Sequence, residues 1–88
     1  MTDIQTTIRT AAEERRRVIV RFRSSTGIEY EREMEPYTLG DTDLMGYDYL
    51  INGFRTLALR RIESAELTDR HFEPRQAIDM GREGPANP

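Results

Sequence analysis

Val18-Ile19-Val20-Arg21-Phe22-Arg23-Ser24-Ser25-Thr26-Gly27-Ile28-Glu29-Tyr30-Glu31-Arg32-Glu33-Met34-Glu35 holds two alternating runs on either side of a turn. In the first, Val18, Val20 and Phe22 alternate with Ile19, Arg21 and Arg23, the period of a strand with one apolar face. Ser24-Ser25-Thr26-Gly27 is a turn signal. In the second, Ile28, Tyr30, Arg32 and Met34 alternate with Glu29, Glu31, Glu33 and Glu35. This predicts strands over 18–23 and 28–35, with Pro36 ending or bending the second. The Glu residues form a solvated row facing the Arg-bearing strand, where opposite charges pair across a ladder.

Upstream the period is helical. Ile4, Ile8, Ala11, Ala12 and Arg15 recur on one side, and Thr2-Asp3-Ile4-Gln5 fits a capping box, predicting a helix over about 3–16. Asp3 at the start and Arg15, Arg16 and Arg17 at the end suit the helix dipole. A stripe of two Ile and two Ala is too weak to stand alone, so the helix is expected to pack across an open end of a sheet or barrel.

Downstream, Gly40-Asp41-Thr42-Asp43 reads as a loop, and apolar runs predict strands over 44–51 and 54–60. Asn52-Gly53 between them is the signal of a type I′ hairpin turn. Arg60-Arg61 marks a corner, and Ile62, Ala65 and Leu67 predict a last strand over 62–68. One helix and five short strands make a mainly β domain over 1–75, closing most economically as a small five-stranded barrel that hides its edges. Residues 76–88, rich in Pro, Gly and charge, read as a disordered tail.

The chain has 88 residues, 13 basic and 16 acidic side chains, and a net charge of −3. All the basic residues are Arg. A chain this short buries only ~60–65% of its unfolded surface, which leaves little room for an enclosed active site. It has no Cys, so disulfides, thiolate metal sites and a Cys nucleophile are excluded, and its lone His71 excludes a His-built metal centre. No apolar run nears the ~20 residues of a membrane helix, and the N-terminus has no secretory pattern, so a cytoplasmic protein is expected. The charge is unevenly spread: residues 1–23 carry +3, whereas 24–51 carry −6.

Enzyme motifs are missing, and His71 has no nucleophile beside it in sequence, so no catalytic residue, metal or cofactor is expected. The Arg residues are the stronger lead. Arg21 and Arg23 project from the first strand; Arg55 shares a face with Leu57, Leu59 and Arg61 on the fourth. If the sheet brings these strands together, they form a concave cluster whose planar forks suit phosphate or carboxylate. Tyr37, Tyr47 and Tyr49 are candidate stacking faces beside it. Against this stands the plainer alternative that these Arg pair with the Glu row.

A family resemblance adds to this. Ile8-Arg9-Thr10-Ala11-Ala12-Glu13-Glu14-Arg15-Arg16 followed by Val20-Arg21-Phe22-Arg23-Ser24 resembles the opening of WYL domains. So do Glu35-Pro36-Tyr37-Thr38-Leu39, Gly46-Tyr47-Asp48, Arg55-Thr56-Leu57-Ala58-Leu59-Arg60-Arg61-Ile62-Glu63-Ser64, and the closing Glu66-Leu67-Thr68-Asp69 and Phe72-Glu73-Pro74, in family order over roughly residues 4–75. The resemblance implies an Sm/SH3-like barrel with an N-terminal helix. It implies a regulatory or sensor module of bacterial transcription, binding a phosphate-bearing small ligand or single-stranded nucleic acid through Arg21, Arg23, Tyr37, Arg55 and Arg61. The naming tripeptide aligns with Thr42-Asp43-Leu44, so its Trp and Tyr are absent, and Ala58 and Arg60 also depart from the pattern. No helix-turn-helix precedes the domain in these residues, so a free-standing module working with a separate DNA-binding protein is expected. The alternative is a barrel without a pocket, serving protein interaction or homo-oligomer assembly through its strand edges.

Overall fold

The computed structural model describes residues 3–81. Helix α1 (Ile4–Glu13) starts at Asp3, whose carboxylate accepts from the Gln5 N–H at 2.8 Å and the Thr6 hydroxyl at 2.7 Å. These bonds, the Thr6 one foremost, hold the Asp3 carboxyl below its ordinary pKa. The cap therefore falls on Asp3 rather than on Thr2, which lies outside the described residues; a carboxylate accepts both bonds at once. The helix stops at Glu13, short of the expected end, because Arg15 turns left-handed at φ 56 and Arg16 already pairs with His71. It buries Thr7, Ile8, Ala11 and Ala12; of the expected stripe, Ile4 is only partly buried and Arg15 is exposed beyond the helix end.

Five strands follow: β1 (Arg16–Arg23), β2 (Glu29–Leu39), β3 (Asp43–Asp48), β4 (Gly53–Ala58) and, after a 3₁₀ turn at Leu59–Arg61, β5 (Ile62–His71). They form one sheet in the order β4-β3-β2-β1-β5, every neighbour antiparallel. Helix α1 lies against β5, β1 and β2. The expected closure into a barrel is not made: among the described residues no ladder joins β4 to β5, which remain edges. The sheet nevertheless curls strongly. Leu57 on β4 and Ile62 on β5, at opposite edges of the sheet, belong to one buried cluster, and the Arg55 guanidinium lies 5.1 Å from the Phe22 ring centroid. Side chains, rather than backbone hydrogen bonds, fill the seam.

The core follows the β1 alternation. Val18, Val20 and Phe22 are buried with Ile8, Met34, Leu44, Leu57 and Ile62. Phe22 stacks on Tyr30 at 5.5 Å. Across the β1–β2 ladder, Arg21 lies opposite Glu31 and Arg23 opposite Glu29, as the alternating charges predict.

The alternation of β2 breaks near its end. The strand runs through Pro36 to Leu39, and Glu35, Pro36 and Tyr37 are buried consecutively. The register of Glu35 is unbroken, the only shift coming after Pro36; Glu35 leaves the solvated row expected for it because Tyr37, Tyr49 and Arg75 close over its carboxylate. Pro36 lies opposite Gly46, where a Cβ would come within 2.6 Å of the Glu35 carbonyl oxygen, so the close approach of the two strands requires glycine.

The β3–β4 hairpin also differs from the expected two-residue turn. Asp48 pairs with Gly53, which leaves a four-residue loop at 49–52, and Asn52 is its left-handed residue at φ 53. The loop is initiated earlier, by the Asp48 carboxylate accepting from the Leu50 N–H at 2.9 Å, an Asx-type turn. Residues 76–81, expected in the tail, instead follow β2. Asp79 N–H donates to the Tyr37 carbonyl at 2.7 Å, and Leu39 N–H donates to the Asp79 carbonyl at 3.0 Å. The rest of that tail lies outside the described residues.

Candidate functional site

The curl leaves a cleft of about 580 Å³ at the end of β1 away from α1. Its floor is apolar and aromatic: Phe22, Tyr30 and Leu57. Arg23, Arg32, Arg55 and Arg61 stand around it, with Asp43 at the rim. The Arg55 guanidinium lies over Phe22, and that of Arg32 lies 5.1 Å from the Tyr30 ring centroid, so two cations rest on the stacked aromatic pair.

Asp48 is the anion behind this arrangement. It is fully buried, and its Oδ2 is 3.1 Å from Arg55 Nη1 and 3.4 Å from Arg32 Nε. The Arg32 contact is ionic only; its buried Nε lies outside hydrogen-bond geometry. Two guanidinium groups against one carboxylate leave a positive charge unmatched. Arg61 makes no ion pair among the described residues, so its fork is available to the cleft.

The sequence-predicted residues separate into three groups. Arg55 and Arg61 line the cleft and share it with Arg23. Arg23 is nevertheless engaged by Glu29 at 2.9 Å and by Glu63, whose carboxylates raise its pKa, the Glu63 hydrogen bond most. Arg21 lies on the other face, exposed and paired with Glu31 at 2.8 Å, so there the plainer alternative applies. Tyr37 is not at the cleft: it is buried, and its hydroxyl donates to Glu35 Oε1 at 2.6 Å. Tyr47 and Tyr49 are also elsewhere, in edge contact with each other at 5.5 Å. Sequence reasoning missed Arg32 and Tyr30, although a lone Arg in the apolar register of β2 was the signal that marked them. It also missed Asp48, which shares the inward register of Leu44 and Gly46 on β3 and is paired there with Arg32 and Arg55.

Elsewhere on the sheet, Glu33 receives Arg70 at 2.8 and 3.0 Å and Arg17 at 3.3 Å, which hold its carboxyl below the ordinary pKa, Arg70 contributing most. Among the described residues no cluster of His, Asp and Glu has the spacing to hold a metal ion. No helix there is long and apolar enough to cross a membrane.

These features define a helix-capped, five-stranded antiparallel module with a guanidinium-lined cleft at its uncovered end. The sequence model of the WYL domain matches residues 3–67. The chain belongs to the WYL domain family. Among solved structures it is similar to the proteasome accessory factor B/C (PafBC) of Arthrobacter aurescens, with 26% identity and a TM-score of 0.64. That match covers 82% of this chain and 13% of the other, so the chain spans a small part of that protein's length. A comparison with curated proteins gives no match.

Proposed function

We propose that this chain is a non-enzymatic WYL-type regulatory module whose cleft receives a phosphate-bearing ligand, either a small molecule or a stretch of single-stranded nucleic acid. The observation that carries the reading is the placement of Arg61, without an ion-pair partner among the described residues, beside Arg55, Arg32 and an aromatic floor. A planar fork bonds a phosphate bidentately, and a stacked aromatic pair accepts a base. Arg55 and Arg61 clamp the anion in this reading, and Arg32 adds field from behind. Arg21 and Tyr37 have no part in it. We read the curled sheet as an Sm/SH3-like barrel opened at the β4–β5 seam. A cytoplasmic setting and a separate DNA-binding partner protein complete the proposal.

The test is a titration of cyclic nucleotides and short single-stranded oligonucleotides at low and moderate salt. Binding is expected to shift the Arg55 and Arg61 side-chain signals, to weaken with salt, and to fall at least tenfold in Arg61→Ala. Ligands that leave both signals unmoved would exclude the cleft.

A second reading has its own support. Leu50, Ile51 and Phe54 are exposed beside the β4 edge, a composition suited to assembly. Light scattering across concentration decides it: a strictly monomeric chain sinks the homo-oligomer version.

A further inference from the structure

A second concentration of chemistry lies on the face of β2 opposite the cleft. Glu35 is buried there, its side chain 2% exposed. Tyr37 donates to its Oε1 at 2.6 Å, Tyr49 donates to its Oε2, and Arg75 Nε donates to Oε1 at 3.0 Å. The Arg75 guanidinium lies 3.7 Å from the Tyr47 ring centroid. Tyr47 in turn meets Tyr49 and Phe54 edge-on at 5.5 Å. A carboxylate at the bottom and an aromatic face at the side form a cage shaped for a guanidinium.

The cage and its occupant come from different parts of the chain. Glu35, Tyr37 and Tyr47 stand on β2 and β3, and Tyr49 follows directly. Glu35 holds Tyr37 and Tyr49 directly, and Tyr47 meets Tyr49, so these contacts within the cage are made without Arg75. Arg75 belongs to the segment after β5, and its side chain is 44% exposed. This strap has further holds: Arg75 N–H donates to the Tyr37 hydroxyl at 2.7 Å, Asp79 bridges Thr38 through its two backbone bonds, buried Phe72 meets the Tyr37 ring at 5.8 Å, and Met80 packs on the core. It is in effect an arginine at a bend of the strap, tethered beside its own receptor.

We propose that Glu35, Tyr37, Tyr47 and Tyr49 form a guanidinium-binding site for an arginine carried on a peptide segment, and that its occupant in trans is the 72–81 strap of a second copy of this chain. The strap already fits the cage in cis, so exchange between two copies reproduces every contact without new complementarity. The tether gives the cis strap an effective concentration on the order of millimolar, which sets the level a trans strap must reach. This proposal is independent of the cleft, which lies on the other face.

The test uses the full chain with Arg75→Ala and a synthetic peptide of residues 72–81. Binding is expected by tyrosine ring and Leu39 amide NMR signals, with the Arg-to-Lys version of the peptide at least tenfold weaker. Equal binding of the two peptides, or none with a folded variant, overturns the cage. If Arg75→Ala does not fold, the same peptides are titrated into the unaltered chain well above millimolar concentration, with the same expected preference; equal displacement of the cis strap by the two peptides, or no displacement there, overturns the cage. The second-copy clause is tested by mixing Arg75→Ala with Glu35→Gln chains. A swapped pair restores one intact cage and a dimer absent from either chain alone; a mixture that behaves as the sum of its parts overturns that clause.

Discussion

Asp48 Oδ2 lies 3.1 Å from Arg55 Nη1, and the carboxylate that makes this contact has no exposed surface. The same side chain caps the hairpin loop through Leu50 N–H. One residue therefore sets both the loop and the charge at the cleft.

Asp48→Asn keeps an acceptor for Leu50 and removes the charge. It should cost about 1–3 kcal/mol in urea unfolding, below the value for a fully buried pair because Arg55 is partly exposed. It should also tighten binding of any anion in the cleft, since Arg32 and Arg55 lose their internal counter-charge. Unchanged stability together with weaker anion binding would contradict this role.

Phe22→Ala removes the floor of the cleft and a buried ring of the core. A cost of ~3–5 kcal/mol is expected, enough to unfold a domain of this size. A folded variant with an unaltered melting temperature would show that the ring carries little of the packing.

Gly46→Ala places a methyl group against the Glu35 carbonyl, where backbone rather than a movable side chain opposes it. Overpacking of this kind costs ~1–3 kcal/mol. Loss of hydrogen-exchange protection should centre on the β2–β3 pairing around Pro36; a loss spread evenly over the sheet would argue against a local clash.

The alkaline limb of stability should depend on Tyr37 and Tyr49. Burial first, and then the hydrogen bonds they donate to Glu35, push both hydroxyls up to about 12 from 10.0. The unfolded chain releases these protons near ~10. The folded chain keeps them longer, so the contribution is complete below that pH and is lost as pH climbs towards 12. Replacing both with Phe should flatten the decline in circular dichroism and remove the late tyrosinate absorbance. An identical decline would place the alkaline sensitivity elsewhere.

The β1 faces were legible because Val18, Val20 and Phe22 alternate without interruption, and the Arg21–Glu31 pair follows from the same period. The features that were not legible depend on contacts outside the period. Tyr49 and the remote Arg75 closed over Glu35, which its own register left facing solvent. A side-chain cap at Asp48 displaced a turn that Asn52-Gly53 marked strongly. Of the cleft, Arg55 and Arg61 were readable from their shared register on β4 and the turn after it. The exclusion of Tyr37 was not, because it depends on Arg75 and Phe72, remote in sequence and without local pattern.

β1 lies between β2, which follows it immediately, and β5, which ends the sheet; Arg16 pairs with His71 and Phe22 with Ile62. The first strand made is thus completed by the last. The β1–β2 hairpin can form early, but the other side of β1 stays bare until nearly the whole chain is available. Closing so long a loop before its contacts repay it slows folding relative to a helical chain of equal length. During that interval Val18, Val20 and Phe22 are only half covered, so the helix that precedes them is also their first shelter.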